Sequence, residues 1–193
     1  MYKRQFYIWR DQPIGNPSNW TYDSQTNQYY YHLFSPQQPD LNWENKEVRQ
    51  QIYQMMNFWL DKGISGFRLD VIDLIGKQVD KEVTVNGPHL HDYLQEMHEA
   101  TFGKRDCLVV GEAWSSSPEL AKLYSAPERK ELSMVFGFWH ILTSAGNGDK
   151  WNKLPLNVPK LKEALLAWQS LKPNQAWNAC LLYTSPSPRD LST

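Results

Sequence analysis

Two acidic residues, Asp70 and Glu112, lie near the carboxyl ends of two predicted strands, over residues 66–72 and 107–114. Both strands are short apolar runs bounded by turn residues, a pattern typical of buried strands in parallel sheets. Because consecutive parallel strands are usually neighbours, we expect the two carboxyl groups to face one crevice. Neighbouring strands lie about 4.8 Å apart, close to the carboxyl separation of about 5 Å in retaining glycosidases. The pair is therefore predicted to act as nucleophile and acid/base.

Arg68 lies two residues before Asp70, hence on the same face of the predicted strand, where its guanidinium could pair with that carboxylate and aim it. The alternative is an ordinary arginine–aspartate pair beside an unrelated glutamate. A metal site would use His89 and His91 with Asp92, but one His-x-His at a predicted helix start does not by itself supply the ligand set of such a site. The sequence predicts no cofactor and no metal.

The elements that must position these residues alternate along the chain. Apolar residues recur at helical spacing from residue 48 to residue 59, with Asn45 as a possible N-cap and Gly63 after the last of them, which predicts a helix of about four turns. Residues 1–45 are rich in aromatic, amide and turn residues, which predicts an irregular, strand-poor lobe. The residues that define the helical spacing are Val48, Ile52, Met55, Met56 and Trp59.

The alternation continues to the end of the chain. Regular alternation of helices and strands favours parallel βα units. About eight such units close a barrel of roughly 250 residues, so four strands fit either half a barrel or a small open sheet. The further predicted elements are helices over 88–102, 118–124 and 161–171, a strand over 132–138 and an apolar run over 176–182.

The composition excludes several classes of protein. The formal net charge is −1 and no basic block is present, so nucleic-acid binding has no electrostatic support. No stretch approaches the roughly 20 apolar residues of a membrane helix, so we expect a soluble, cytoplasmic protein. Cys107 and Cys180 lack zinc-type spacing and are expected to be reduced thiols. Aromatic residues make up 13% of the chain, which suits sugar binding, although most are expected to be ordinary core.

Three segments carry a resemblance to a known family. Gly-Phe-Arg-Leu-Asp at 66–70 resembles the nucleophile strand of glycoside hydrolase family 13, the α-amylase superfamily, and Val-Gly-Glu at 110–112 resembles its acid/base strand. Gln-Pro-Asp-Leu-Asn at 38–42, with Gln38, Asp40 and Asn42, resembles the signature of the oligo-1,6-glucosidase branch. Together the segments identify the chain as a member of that subfamily.

The resemblance implies a fold and an activity. The fold is a partial (β/α)₈ barrel of about strands four to seven over 41–179, preceded by part of an inserted lobe over 1–40, with 180–193 as an unrelated tail. The activity is that of a retaining α-glucosidase on oligosaccharides, with Asp70 as nucleophile, Glu112 as acid/base and no cofactor. Within this branch a valine after the nucleophile, here Val71, goes with preference for α-1,6 bonds. Isomaltose-type oligosaccharides are the expected substrates.

Three departures from the family pattern qualify this expectation. The seventh-strand Asn-His-Asp motif and the first-strand motif are absent, a lobe insert near Trp20 is missing, and the tail is unrelated. The 193-residue chain alone is therefore expected to be inactive. The alternatives are a trehalose-6-phosphate hydrolase, which needs a cationic phosphate pocket, and more remotely a sucrose-isomerising enzyme. A glucosidase-like scaffold without chemistry, as in the heavy chains of some amino-acid transporters, is the alternative of another class.

Overall fold

The computed structural model describes residues 4–147, 149–171 and 176–180. The chain forms two compact units, the first of Met1–Ile64 and Leu74–Lys104 and the second of Ser65–Asp73 and Arg105–Thr193. In chain order the helices and strands are β1 (Trp9–Arg10), β2 (Trp20–Asp23), β3 (Gln28–Tyr31), α1 (Lys46–Asp61), β4 (Gly66–Leu69), α2 (Leu90–Ala100), β5 (Leu108–Gly111), α3 (Pro118–Ser125), β6 (Met134–Gly137), α4 (Trp139–Leu142), β7 (Ala145–Gly146), β8 (Asp149–Lys153), α5 (Val158–Gln169) and β9 (Trp177–Cys180).

The first unit contains a three-stranded antiparallel sheet in the order β1-β3-β2. Aromatic residues pair across its strands: the rings of Trp9 and Tyr30 lie 5.7 Å apart, and those of Trp20 and Tyr31 lie 5.2 Å apart, both edge to face. Such cross-strand pairs stabilise an antiparallel sheet. The expectation of a strand-poor lobe over residues 1–45 is therefore wrong, because aromatic residues on both faces of these strands hide the alternation that marks a strand.

The first unit also contains α1, which begins and ends where the sequence predicts. The Asn45 side chain accepts a hydrogen bond from the Glu47 N–H (2.9 Å), and Gly63 adopts a φ of +93° after the last turn. Met55 and Trp59, which helped to set the predicted spacing, are about half exposed. The apolar stripe of α1 is thus wider than its buried face, which consists of Val48, Tyr53, Met56 and Leu60.

The second unit is built on a parallel sheet in the order β4-β5-β6-β9. This confirms the predicted parallel arrangement of about four strands. Each of these strands has four residues, fewer than predicted, and β4 and β5 end just before the two acidic residues. Helix α3 follows β5 in the chain, and α5 precedes β9.

Several predictions concern the boundaries of the chain. The division into two units does not fall between residues 40 and 41, and the assignment of 1–40 to a lobe and of 41–179 to a barrel stays a prediction. Of the predicted tail over 180–193, only Cys180 is among the described residues.

Two further expectations concern the cysteines and the membrane. Cys107 is a free, half-buried thiol. No helix in the described part of the chain has both the length and the apolar character needed to cross a bilayer.

Candidate active site

The two acidic residues follow strand ends that face each other in the register of the sheet. Leu69, the last residue of β4, is the register partner of Gly111, the last residue of β5. Asp70 and Glu112 come next in the chain, and the Glu112 N–H donates to the Leu69 carbonyl oxygen over 2.8 Å. The predicted neighbours therefore meet at the carboxyl edge of the sheet, where ligands of α/β proteins bind.

One guanidinium contacts both carboxylates. Arg68 Nη1 donates to Asp70 Oδ1 over 2.8 Å, and Arg68 Nη2 donates to Glu112 Oε2. The Asp70 side chain is 68% exposed whereas that of Glu112 is 12% exposed. The structure thus brings the three sequence-predicted residues together, with one carboxylate open to an incoming molecule and the other enclosed.

Trp114 completes the surroundings of Glu112, and sequence reasoning missed it. Its Nε1–H donates to Glu112 Oε1 over 2.8 Å, so each oxygen of this carboxylate accepts a hydrogen bond. The indole stacks on the ring of Phe138, with centroids 4.0 Å apart and planes 15° apart. The available signal was its position two residues after Glu112, since residues two apart share one side of an extended segment.

The backbone turns sharply at Val71, directly after Asp70. Val71 has a φ of +40°, a conformation that a β-branched residue rarely adopts and that costs of order 1–3 kcal/mol. The next N–H, that of Ile72, donates to the Glu112 carbonyl oxygen over 2.9 Å. The surroundings therefore hold Val71 in a strained turn beside Asp70.

The signature segment over 38–42 lies in the first unit and makes contacts there. Asp40 accepts a hydrogen bond from the Leu33 N–H (3.1 Å) and pairs with Lys77. Both side chains of that ion pair are only 9% exposed. The Gln38 N–H donates to the Ser35 carbonyl oxygen (2.8 Å). Asn42 lines a small cavity of the same unit. The contacts of Asp40 and Gln38 stabilise this segment.

The metal reading finds no support in the arrangement of its residues. His89 Nδ1 lies 3.1 Å from Asp92 Oδ2, an exposed pair one helical turn apart. Across residues 4–147, 149–171 and 176–180, no group of three or more histidine, cysteine, aspartate or glutamate side chains is placed to hold a metal ion.

Comparisons with known proteins agree on one family. The model of the α-amylase catalytic domain matches residues 1–193. The chain is 54% identical to a glucan 1,6-α-glucosidase of Streptococcus dysgalactiae subsp. equisimilis, over 98% of this chain and 37% of that protein. It is 42% identical to an oligo-1,6-glucosidase of Bacillus cereus, over 98% of this chain and 38% of that protein.

A solved structure has the same fold. The trehalose-6-phosphate hydrolase of Bacillus licheniformis superposes with a TM-score of 0.81 at 38% identity, over 91% of this chain and 35% of that one. The chain therefore spans a little over a third of the length of the relatives it matches.

Proposed function

Because the chain belongs to the family of α-amylase catalytic domains, we propose that it supplies the two central carboxylates of a retaining α-glucosidase, with Asp70 as nucleophile and Glu112 as acid/base. The observation that carries the proposal is that the Arg68 guanidinium contacts both carboxylates, which follow the carboxyl ends of two adjacent parallel strands. Neighbouring strands lie about 4.8 Å apart. This spacing supports a carboxyl separation of about 5 Å, as in a retaining enzyme, rather than the wider gap that holds a water molecule in an inverting one.

In the first step the exposed Asp70 carboxylate attacks the anomeric carbon of the terminal glucose. Glu112 donates its proton to the glycosidic oxygen as the bond from that oxygen to the anomeric carbon breaks, and the remaining sugar leaves as an alcohol. Arg68 keeps the nucleophilic carboxylate oriented through its 2.8 Å contact. The product of this step is a glucosyl ester of Asp70.

In the second step Glu112 acts as a base. It takes a proton from a water molecule, whose oxygen attacks the anomeric carbon and displaces Asp70 as a free carboxylate. Two displacements at one carbon restore its original configuration. The hydrogen bond from Trp114 to Glu112 Oε1 fixes the side chain. Oε2 accepts a hydrogen bond from Arg68 and has a second lone pair for the transferred proton.

The proposed substrates are short oligosaccharides with a terminal α-1,6-linked glucose. Val71 supports this, since it follows Asp70 directly at a strained turn, and the family resemblance implies a preference for α-1,6 bonds when valine stands there. The 1,6-glucosidases to which the chain is similar act, by their names, on α-1,6 bonds. The 54% identity to the streptococcal protein exceeds the 38% identity to the trehalose-6-phosphate hydrolase, which favours the former activity.

A non-catalytic scaffold is the weaker proposal. Two carboxylates that share one arginine repel each other, and a protein without chemistry gains nothing from that repulsion.

For the fold, we propose that β4, β5, β6 and β9 correspond to strands four to seven of a (β/α)₈ barrel, with residues 1–40 in an inserted lobe. The parallel order and the intervening helices support this. A cytoplasmic location stays a prediction.

The test is covalent trapping in a protein of full family length. Residues 1–179 replace the matching segment of the streptococcal relative, and this chimera is incubated with a fluorinated α-glucosyl fluoride that forms the ester but hydrolyses it slowly. We expect a single glucosyl label on the peptide that contains Asp70. A label on another carboxylate, or a chimera that unfolds cooperatively yet neither turns over an α-glucoside nor takes the label, would overturn the proposal.

The matched control is Asp73→Asn. It removes a carboxylate three residues from Asp70 in the same peptide, and it should leave the label in place. Asp70→Asn should abolish labelling while the chimera still unfolds cooperatively.

A further inference from the structure

The segments that follow the two acidic residues are tied together by several hydrogen bonds. The Glu112 N–H donates to the Leu69 carbonyl oxygen over 2.8 Å, and the Ile72 N–H donates to the Glu112 carbonyl oxygen over 2.9 Å. One turn further, the side chain of Asp73 accepts hydrogen bonds from Ser115, from its N–H over 3.0 Å and from its hydroxyl over 2.6 Å. Asp73 lies three residues after Asp70. Ser115 lies three residues after Glu112.

Asp73 is buried at 2% exposure, and the reaction proposed above does not use it. A buried carboxylate loses its hydration, a cost that only good hydrogen bonds offset. The neighbouring Tyr124 is fully buried as well. This burial raises the pKa of its phenol far above the ordinary value, and the charges of Asp73 and Glu131 raise it further. The 3₁₀ turn Ile72–Leu74 thus keeps a buried acid where an apolar residue would pack at lower cost.

We propose that Asp73 is a positioning residue that fixes the separation of Asp70 and Glu112 by clamping the loop after β5 to the loop after β4. The inference rests on the proposed function for its catalytic consequence, although the clamp itself can be measured without activity. Both hydrogen bonds from Ser115 converge on one oxygen, Oδ2. The clamp therefore needs an acceptor at that point, not a charge.

The clamp also explains how the strained turn persists. Val71 keeps a φ of +40° only if the residues on both sides are held. On one side Leu69 is held by its bond from Glu112, and on the other Ile72 and Asp73 are held by Glu112 and Ser115. Without the Asp73 anchor, the turn is free to relax toward an ordinary φ, which would swing the adjacent Asp70 away from Glu112.

The first experiment measures amide hydrogen exchange in the 193-residue chain. In Asp73→Ala, we expect the amides of Ile72, Glu112 and Ser115 to exchange at least about tenfold faster, because their segments separate locally. The control amide is that of Ser133, which donates to the Val109 carbonyl oxygen at the other end of β5 (2.9 Å). It should be unaffected. In Asp73→Asn, whose amide oxygen can still accept from Ser115, all four amides should exchange as in the parent chain.

The second experiment measures turnover in the chimera. Asp73→Ala should lower kcat about 10- to 100-fold, the effect of displacing a reacting group by about 1 Å, and leave KM within about twofold. Asp73→Asn should restore kcat to within about threefold of the parent. Ser115→Ala keeps the N–H donor and should lose less than Asp73→Ala, and the double variant should lose no more than Asp73→Ala.

The control for loss of stability is Glu131→Ala, which also removes a buried carboxylate of the second unit, one that pairs with Arg129 over 2.7 Å. It should lower the unfolding temperature without lowering kcat of the folded fraction. Equal acceleration of all four amides in Asp73→Ala, or an unchanged kcat, would overturn the inference. If the parent chimera instead lacks α-glucosidase activity while the exchange result holds, the clamp stands and the proposed function fails.

Discussion

Two groups of charged side chains, one in each unit, differ in the balance and the exposure of their charges. In the first unit Lys77 and Asp40 form a balanced pair, one cation to one carboxylate, with both side chains 9% exposed. In the second unit Arg68 serves two carboxylates, and one of them, Asp70, is 68% exposed. Removing one partner of a buried pair destabilises the fold strongly, because the other charge stays buried and uncompensated. One arginine shared by two carboxylates leaves a negative charge at the strand end that is not neutralised, and this charge is accessible to another molecule.

The difference separates acidic residues that hold the fold from acidic residues that are available for chemistry. Removing Asp40 leaves a buried cation without its partner, whereas removing Asp70 relieves a repulsion. The two regions should therefore respond differently to the same substitution, one in stability and the other in activity. The variants below test this division, and catalytic effects are measured in the chimera.

The largest effect is expected for Glu112→Gln, which tests whether this acidic residue acts in catalysis rather than in stability. Without a transferable proton, turnover of substrates with poor sugar leaving groups should fall about 10²- to 10⁴-fold. Activated aryl α-glucosides need little protonation and should lose far less in the first step. The measurement is kcat/KM for a series of leaving groups. Equal losses across the series would show that Glu112 has only a structural role.

The second largest effect is expected for Asp40→Ala, and it is an effect on the stability of the fold. It should lower the free energy of unfolding by about 3–5 kcal/mol, because Lys77 stays buried without a partner. Urea titration of the 193-residue chain measures this. The matched variant is Asp70→Ala, which removes an exposed carboxylate from a site with excess negative charge and should change stability by less than about 0.5 kcal/mol. Similar losses for the two variants would remove the contrast between the units.

A smaller effect is expected for Val71→Thr, which keeps the β-branched shape at the strained turn and adds a hydroxyl. We expect turnover of maltose relative to isomaltose to rise roughly fivefold, since a hydroxyl on this wall changes the contacts of the leaving-group sugar. Kinetics on both disaccharides measure the ratio. Val71→Ile is the control, since it keeps the wall apolar and should leave the ratio unchanged. An unchanged ratio in Val71→Thr would exclude Val71 from the specificity argument.

Much of the second unit could be predicted from the sequence, because its strands are apolar runs closed by turn residues. The four parallel strands and the contact between Arg68 and Asp70 follow from period-two geometry and chain order. The three-stranded sheet of the first unit could not be predicted, because Tyr29, Tyr30 and Tyr31 are aromatic on both faces. Its pairing depends on contacts between strands that no local pattern records.

The rest of the site depends on backbone conformation and on long-range contacts. No residue type marks the positive φ at Val71, since valine disfavours it and only its surroundings impose it. The stack of Trp114 on Phe138 joins residues 24 positions apart, and the bond from Ser115 to Asp73 joins residues 42 apart. The order of the strands thus predicts which carboxylates meet, whereas the contacts that hold them depend on residues far apart in the chain.

The smallest effect concerns Arg10 and Asp80, an exposed balanced pair in the first unit, with Arg10 Nε donating to Asp80 Oδ1 over 2.7 Å. The hydrogen bond from Arg10, with its positive charge, lowers the pKa of Asp80 below its ordinary value, although partial desolvation opposes this. The pKa of an aspartate in the unfolded chain is about 3.9. The pair therefore stabilises the fold above that pH, and the contribution is lost as pH falls through the lower pKa of the folded state. Because the side chains are 36% and 55% exposed, solvent screens the pair, and Asp80→Asn should cost only about 0.5 kcal/mol near pH 6.

The difference in unfolding free energy between Asp80→Asn and the parent chain should shrink to zero at a pH below both pKa values. Urea titrations of the parent, Asp80→Asn, Arg10→Gln and the double variant at several pH values measure this coupling. A coupling that stays constant with pH, or that exceeds the cost of Asp40→Ala, would show that exposure does not separate weak pairs from strong ones in this unit.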